Sequence, residues 1–179
     1  MSKRIISLHL LGWILAGVIL VISLMSAARL TVDQGHTASG RTWYWSRTIL
    51  PDHVLYPLLM VVDRLALETT SDPKTRVYIQ VNYSYRRTQS ALTLIEKNQP
   101  ELALTTLTKA QKYLNQAATE ALVAELAIPE KRLIIKAIDH LNSVTDGALP
   151  SFTTYDRGVL QELRQEAVVL EEKLIDSIK

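Results

Sequence analysis

The feature that most constrains this chain is an uncharged apolar segment, Ile5–Ala28, which follows the basic pair Lys3 and Arg4. Thirteen of its twenty-four residues are Ile, Leu or Val. As a helix it would be roughly 36 Å long, enough to cross a hydrocarbon core of about 30 Å. The positive-inside rule assigns the basic pair to the cytoplasm. The pattern therefore predicts a single transmembrane signal anchor, with a cytoplasmic stub at residues 1–4 and an extracytoplasmic domain after it.

A cleaved secretory signal peptide is the alternative. Ser26, Ala27 and Ala28 offer small residues for a cut after Ala28, which would leave a secreted chain beginning at Arg29. The apolar run is longer than the roughly 7–15 residues of an ordinary signal h-region, and this favours the anchor. The sequence contains no cysteine, which excludes lipid attachment at a cysteine, disulfides and thiolate metal sites.

The charge distribution limits the possible partners. The formal charge of +2 comes from Lys3 and Arg4, because the residues from Arg29 onward hold eighteen basic and eighteen acidic side chains. A domain without net charge lacks the basic surface that nucleic-acid binding requires. We therefore expect no nucleic-acid partner. The expected partners are the lipid bilayer, through residues 5–28, and either another protein or a second copy of the chain.

Helical periodicity dominates the rest of the sequence and predicts an all-α domain of about five helices. Residues 29–52 are mixed and polar, which predicts a stalk or connector. Residues 53–126 are predicted to form a helical domain that contains an antiparallel hairpin. Residues 127–179 are predicted to form a C-terminal helical pair that packs on it. No segment alternates with a period of two for long enough to indicate a strand.

The hairpin prediction rests on two long helices with apolar residues at heptad spacing. They run from Pro73 to about Asn98 and from Pro100 to about Leu126, and only a short polar turn separates them. The many alanines of the second helix predict a close approach of its partner. Further on, Thr145-Asp146-Gly147 predicts the end of a fourth helix, with Gly147 as the residue that follows the C-cap.

Several short motifs between Leu50 and Ala118 resemble a bacterial extracytoplasmic helical family that is catalogued as a domain of unknown function. The matching motifs are Leu50-Pro51, Leu55-Tyr56-Pro57-Leu58, Asp72-Pro73, Arg86-Arg87 and Pro100-Glu101-Leu102-Ala103. Two departures are Leu59, where that family usually has lysine, and Gln89-Ser90-Ala91, where an acidic residue usually precedes the alanine. The resemblance implies a membrane-anchored or exported helical hairpin, and it transfers no activity.

Two groups of aromatic and basic residues are candidate interaction surfaces. They are Trp43, Tyr44 and Trp45 in the connector, and Tyr83, Tyr85, Arg86 and Arg87 in the first long helix. For the connector group, packing on the domain or contact with the membrane interface is the simpler explanation. For the helix group, surface packing and ion pairs are the simpler explanation.

No sequence motif indicates catalysis. A glycine-rich phosphate loop, a nucleophile elbow and a zinc-binding histidine pair are all missing, and no two histidines have helical spacing. We therefore expect no enzymatic activity, no cofactor and no metal. The expected function is that of a membrane-anchored extracytoplasmic helical protein, acting as a structural or protein-interaction module at the bacterial cell envelope. The alternative is a helical bundle that senses a ligand or stress and signals through another membrane protein.

Overall fold

The computed structural model describes residues 49–179, and this part of the chain is all-α, as predicted. It contains five helices and a 3₁₀ turn, and no strand occurs among these residues. The helices are α1 (Tyr56–Thr69), α2 (Pro73–Glu96), α3 (Pro100–Val123), α4 (Ile128–Ala148) and α5 (Thr154–Asp176), and the 3₁₀ turn is Leu149–Ser151. The predicted anchor, residues 5–28, lies outside the described residues. Within residues 49–179, no helix has the length and the apolarity that crossing a membrane requires.

The helix α2 begins and ends with local signals that the sequence carries. The carboxylate of Asp72 accepts a hydrogen bond from the backbone N–H of Thr75 at 2.8 Å, and Pro73 occupies the first helical position. At the other end, the N–H of Gln99 donates to the carbonyl of Leu94 at 2.8 Å, and Asn98 has a φ of 58°. This is a Schellman motif, which reverses the chain within three residues. The helices α2 and α3 therefore form the predicted hairpin.

Four helices, α2 to α5, share one apolar core. On α3 a row of small residues with two leucines is almost fully buried, so that α2 approaches it closely. Ile134 and Ile138 of α4 and Leu174 of α5 fill the remaining space. The members of the α3 row are Ala103, Leu107, Ala110, Leu114, Ala117 and Ala121. All six belong to the apolar row that the heptad spacing predicts.

The predicted stop at Gly147 is wrong. The helix α4 continues through Gly147 to Ala148, and no glycine of residues 49–179 has a positive φ. Ala148 and Phe152 are both buried in the core, which favours continuation of the helical backbone past Gly147. The helix ends instead at Ala148, where the backbone tightens into the 3₁₀ turn Leu149–Ser151. Pro150 lies in this turn and has no backbone N–H with which to continue the α-helical hydrogen bonds.

The helix α1 is attached to the bundle in a different way. It packs on α2, and its single buried residue is Asp63. The four-helix bundle therefore has its own core, to which α1 contributes no buried apolar residue.

Candidate interaction surface

The helix α1 departs from an ordinary amphipathic surface helix in one buried charged residue and two exposed apolar residues. Asp63 is only 3% exposed, whereas Leu58 is 50% and Val61 55% exposed, and Val54, in the turn before α1, is 90% exposed. An apolar stripe on a surface helix normally faces the core, and charged residues normally face water. The orientation of α1 must therefore come from what Asp63 contacts.

Asp63 lies against two consecutive arginines of α2. Its carboxylate forms an ion pair with the guanidinium of Arg86, and Nη2 of Arg87 lies 3.6 Å from the same carboxylate oxygen. The hydroxyl of Tyr83 donates to the backbone carbonyl of Asp63 at 3.2 Å. A buried carboxylate requires partners of this kind, since an unpaired buried charge is very costly.

Arg87 is only 4% exposed and connects three helices. Its Nη1 donates to the hydroxyl of Tyr56 at 3.0 Å, and its Nη2 donates to the hydroxyl of Tyr113 at 3.3 Å. Its guanidinium also lies 4.8 Å from the centroid of the Tyr113 ring, a cation–π contact. Met60 of α1 contributes its sulfur at 3.2 Å from Nη2.

Two aromatic rings complete this group. The rings of Tyr83 and Tyr113 meet edge to face with their centroids 5.5 Å apart, and Arg86 lies over the Tyr83 ring at 4.7 Å. Burial, with a further contribution from the charge of Asp63, raises the pKa of Tyr83 well above its ordinary range, so its hydroxyl remains a donor. We call these seven residues the Asp63 cluster; they are Tyr56, Met60, Asp63, Tyr83, Arg86, Arg87 and Tyr113.

The candidate residues of the Tyr83 to Arg87 segment do not share one surface. Tyr83, Arg86 and Arg87 lie on one side of α2, in the Asp63 cluster, as their i, i+3 and i+4 spacing requires. Tyr85 lies on another side, where its ring is 5.0 Å from that of His140 on α4. Burial raises the pKa of Tyr85. The other candidate group, Trp43, Tyr44 and Trp45, lies outside the described residues.

Sequence reasoning missed the α1 and α3 members of the cluster. The available signal was one acidic residue, Asp63, inside the apolar run from Leu58 to Leu67. Such a residue in a helix near the surface normally faces water. Only the position of α1 over Arg86 and Arg87 makes the inward orientation favourable.

Other polar groups of residues 49–179 lie apart from the Asp63 cluster. They include no set of three potential metal ligands. Burial and the nearby charges of Asp139 and Glu172 raise the pKa of Glu171. A surface depression of about 500 Å³ on α4 is lined by apolar groups and by Arg132 and Lys136, without a carboxylate.

The fold and this surface define a class of protein: a small helical bundle whose first helix is held by a buried ion pair and exposes its apolar side. The chain belongs to the family described as "Domain of unknown function (DUF5667)", whose profile matches residues 48–172. The family resemblance predicted from the sequence is thereby confirmed, and the match extends through most of α5. No curated protein and no solved structure matches the chain.

Proposed function

We propose that the protein is a membrane-anchored, extracytoplasmic interaction module of the bacterial cell envelope. The observation that carries the proposal is a group of exposed apolar residues at the start of α1: Leu58 and Val61 on the helix, and Val54 in the turn before it, are each at least half exposed. Exposed apolar residues that form a contiguous patch mark interaction sites in soluble domains. A helix that carries such a patch and is held rigidly by a buried ion pair is a surface prepared for a partner.

The sequence preceding α1 supports the envelope location. The apolar segment Ile5–Ala28 has the composition of a transmembrane anchor, and residues 29–48 connect it to the described domain. The anchor keeps the domain at the membrane, and the bundle of α2 to α5 provides a stable platform for α1. Shape and apolar contact carry the interaction, because the domain has no net charge to attract an anionic polymer.

Two measurements on the full chain test the proposal. N-terminal sequencing of the membrane fraction should find an uncleaved chain, and a chain that begins at Arg29 would contradict the anchor. In intact cells, a photoreactive amino acid at position 61 in place of Val61 should form an adduct with an envelope protein. A second copy of the chain counts as such a protein. The same group at Glu162, an exposed position on α5, should not. Absence of any Val61 adduct would contradict the interaction role.

A further inference from the structure

We infer that the surface of α2 and α3 beneath α1 is a carboxylate-binding site. Asp63 is its resident ligand, and a carboxylate from outside the chain takes the place of Asp63 when α1 undocks. We call the four donor residues of the bundle the arginine–tyrosine site; they are Tyr83, Arg86, Arg87 and Tyr113. The inference goes beyond the proposed function, which concerns the exposed apolar residues at the start of α1.

The arginine–tyrosine site belongs to the bundle, and α1 covers it. The apolar core contains no residue of α1, and Asp63 is the one buried residue of that helix. On α2, Val81 and Ala91 lie in the core on either side of the donors along the chain, and on α3 Ala110 and Leu114 flank Tyr113. The packing of α2 on α3 therefore places the donors, and it does not need α1 for this.

Asp63 neutralises only part of the charge of the site. Its carboxylate pairs closely with Arg86, whereas Nη2 of Arg87 is 3.6 Å from the same oxygen. Within residues 49–179, neither arginine forms an ion pair with any other acidic side chain. Two guanidinium groups thus share one carboxylate, although Arg87 is only 4% exposed. Since buried charge without a matching counter-charge is costly, the site favours an anion that pairs with Arg87 more directly.

One edge of the Arg87 guanidinium shows which anion fits. Its Nε is buried and has no hydrogen-bond partner in the part of the chain that the structure describes. On the same edge, Nη2 donates to the sulfur of Met60 at 3.2 Å, and a thioether is a weak acceptor. Two parallel N–H groups of arginine match the two oxygens of a carboxylate. A carboxylate from outside the chain can therefore make a pair of charge-assisted hydrogen bonds that Asp63 does not make.

The connection between α1 and α2 makes Asp63 a strong competitor. Only residues 70–72 separate the two helices, so Asp63 stays close to the site after α1 undocks. Such a short connection gives the tethered group a high effective concentration. Docked α1 and an outside carboxylate exclude each other, and the outside carboxylate prevails where it is concentrated or where it binds Arg87 better.

Hydrogen exchange of the full-length chain in sodium formate tests the site, with sodium chloride at equal concentration as the reference. In the native chain, formate competes with Asp63, so the amides of α1 should exchange several-fold faster in formate than in chloride. In Asp63→Ala the position of the carboxylate is vacant, and formate can fill it between α1 and the arginines. The amides of α1 in this variant should exchange several-fold more slowly in formate, because a ligand stabilises the state that it binds more tightly.

Two variants serve as controls. Asp146 also pairs with an arginine of another helix, Arg164, at 2.6 Å, but both side chains are more than 40% exposed. Exchange around position 146 in Asp146→Ala should therefore be equal in formate and chloride. Asp63→Ala combined with Arg86→Gln should lose the slowing by formate, because one donor of the site is gone. Unchanged protection of α3 around Leu107 verifies that the core is intact in each variant.

A second probe distinguishes a free carboxylate from an acidic side chain of a protein. N-acetyl-aspartyl amide carries the carboxylate together with peptide carbonyls, and the hydroxyl of Tyr83 donates to such a carbonyl of Asp63 at 3.2 Å. If this compound opens α1 of the native chain at a lower concentration than formate does, the ligand is an acidic protein segment. If the two concentrations are equal, the ligand is a free carboxylate.

Three results would overturn the inference. Equal exchange of native α1 in formate and chloride would show that no outside carboxylate replaces Asp63. Equal exchange of α1 in Asp63→Ala would show that the arginines do not form a carboxylate site. A larger effect of phosphate than of formate at equal ionic strength would exclude carboxylate as the preferred ligand. None of these results changes the outcome of photocrosslinking from position 61, which tests the proposed function separately.

Discussion

Replacing Asp63 by asparagine should release α1 from the bundle. The substitution keeps the size of the side chain and removes its charge, so the effect of the ion pair is isolated from packing. In the native protein the carboxylate is paired with Arg86 and lies 3.6 Å from Nη2 of Arg87. With asparagine in this place, Arg87 would remain almost fully buried without a charged partner.

The expected cost follows from the burial of the pair. Removing one partner of a buried ion pair costs about 3–5 kcal/mol. Here the cost cannot exceed the free energy with which α1 docks on the bundle, because Arg87 becomes hydrated when α1 undocks. We expect a loss of about 3 kcal/mol, which corresponds to roughly a hundredfold change in the docking equilibrium.

Hydrogen exchange with mass spectrometry, resolved by segment, measures this change. The amides of α1 should lose about a hundredfold in protection, because local opening controls their exchange. The amides of α3 around Leu107 and Leu114 should change little, since the core of α2 to α5 does not include α1. Arg64→Ala is the matched control, because its ion pair with Glu68 is exposed and such pairs contribute little.

Two outcomes would refute this reasoning. Unchanged protection of α1 in Asp63→Asn would mean that apolar contacts hold the helix. An equal loss of protection in α3 would mean that α1 belongs to the same cooperative unit as the core. A double variant provides a further check: Asp63→Leu with Arg87→Met should recover part of the loss of Asp63→Leu alone, because it removes the buried charge of Arg87, while Arg86, whose side chain is 21% exposed, can reach water.

Three further predictions concern single residues of the bundle. Glu125→Gly should raise the free energy of unfolding by about 1 kcal/mol in urea titrations, because Glu125 has a φ of 47° in a Schellman motif, where glycine is unstrained. Asn98→Gly should raise it by less, because asparagine tolerates the φ of 58° at this position. Thr153→Ala should lower the free energy of unfolding by about 1 kcal/mol, since Thr153 is the N-cap of a capping box with Asp156. Thr153→Ser should retain most of this stabilisation, because serine keeps the hydroxyl group. The hydrogen bond from Lys74 lowers the pKa of Glu130 below its ordinary value of 4.5. The stabilisation by Glu130 is therefore present above that value and is lost as the pH falls through the lower folded-state pKa. Glu130→Gln should be less stable than the native protein at pH 7. Its urea midpoint should also fall less on acidification than that of the native protein.

The sequence was sufficient to predict the hairpin because its signals are local. The cap at Asp72, the proline after it and the heptad spacing of α2 each depend on residues within a few positions of one another. The row on α3 was predictable for the same reason: alanine and leucine at heptad positions have few favourable environments other than a helix interface. The error at Gly147 shows the limit of local signals, since burial of Ala148 and Phe152 outweighed the preference of glycine for a helix end.

The Asp63 cluster was not predictable by the same means. Its members come from three helices, and Asp63 is separated from Arg86 by 23 positions in the sequence. The aromatic and basic residues of α2 stand out in the sequence, but their partner on α1 follows only from the side-by-side position of the two helices. Tyr113 of α3 gave no signal at all, because a single tyrosine on a helix is compatible with many surroundings.

The cluster explains why α1 docks in one rotation and not in another. Most of the residues of α1 are apolar, and both of its sides could cover α2: Met60 and Leu67 on the inner side, or Leu58 and Val61 on the outer side. Because apolar residues lie on both sides, apolar contact by itself is a weak basis for selecting one rotation. The difference comes from Asp63, because the outward rotation would leave Arg87 buried without a carboxylate. A charge that is expensive to bury therefore fixes the orientation of the helix, and as a consequence Leu58 and Val61 are left exposed.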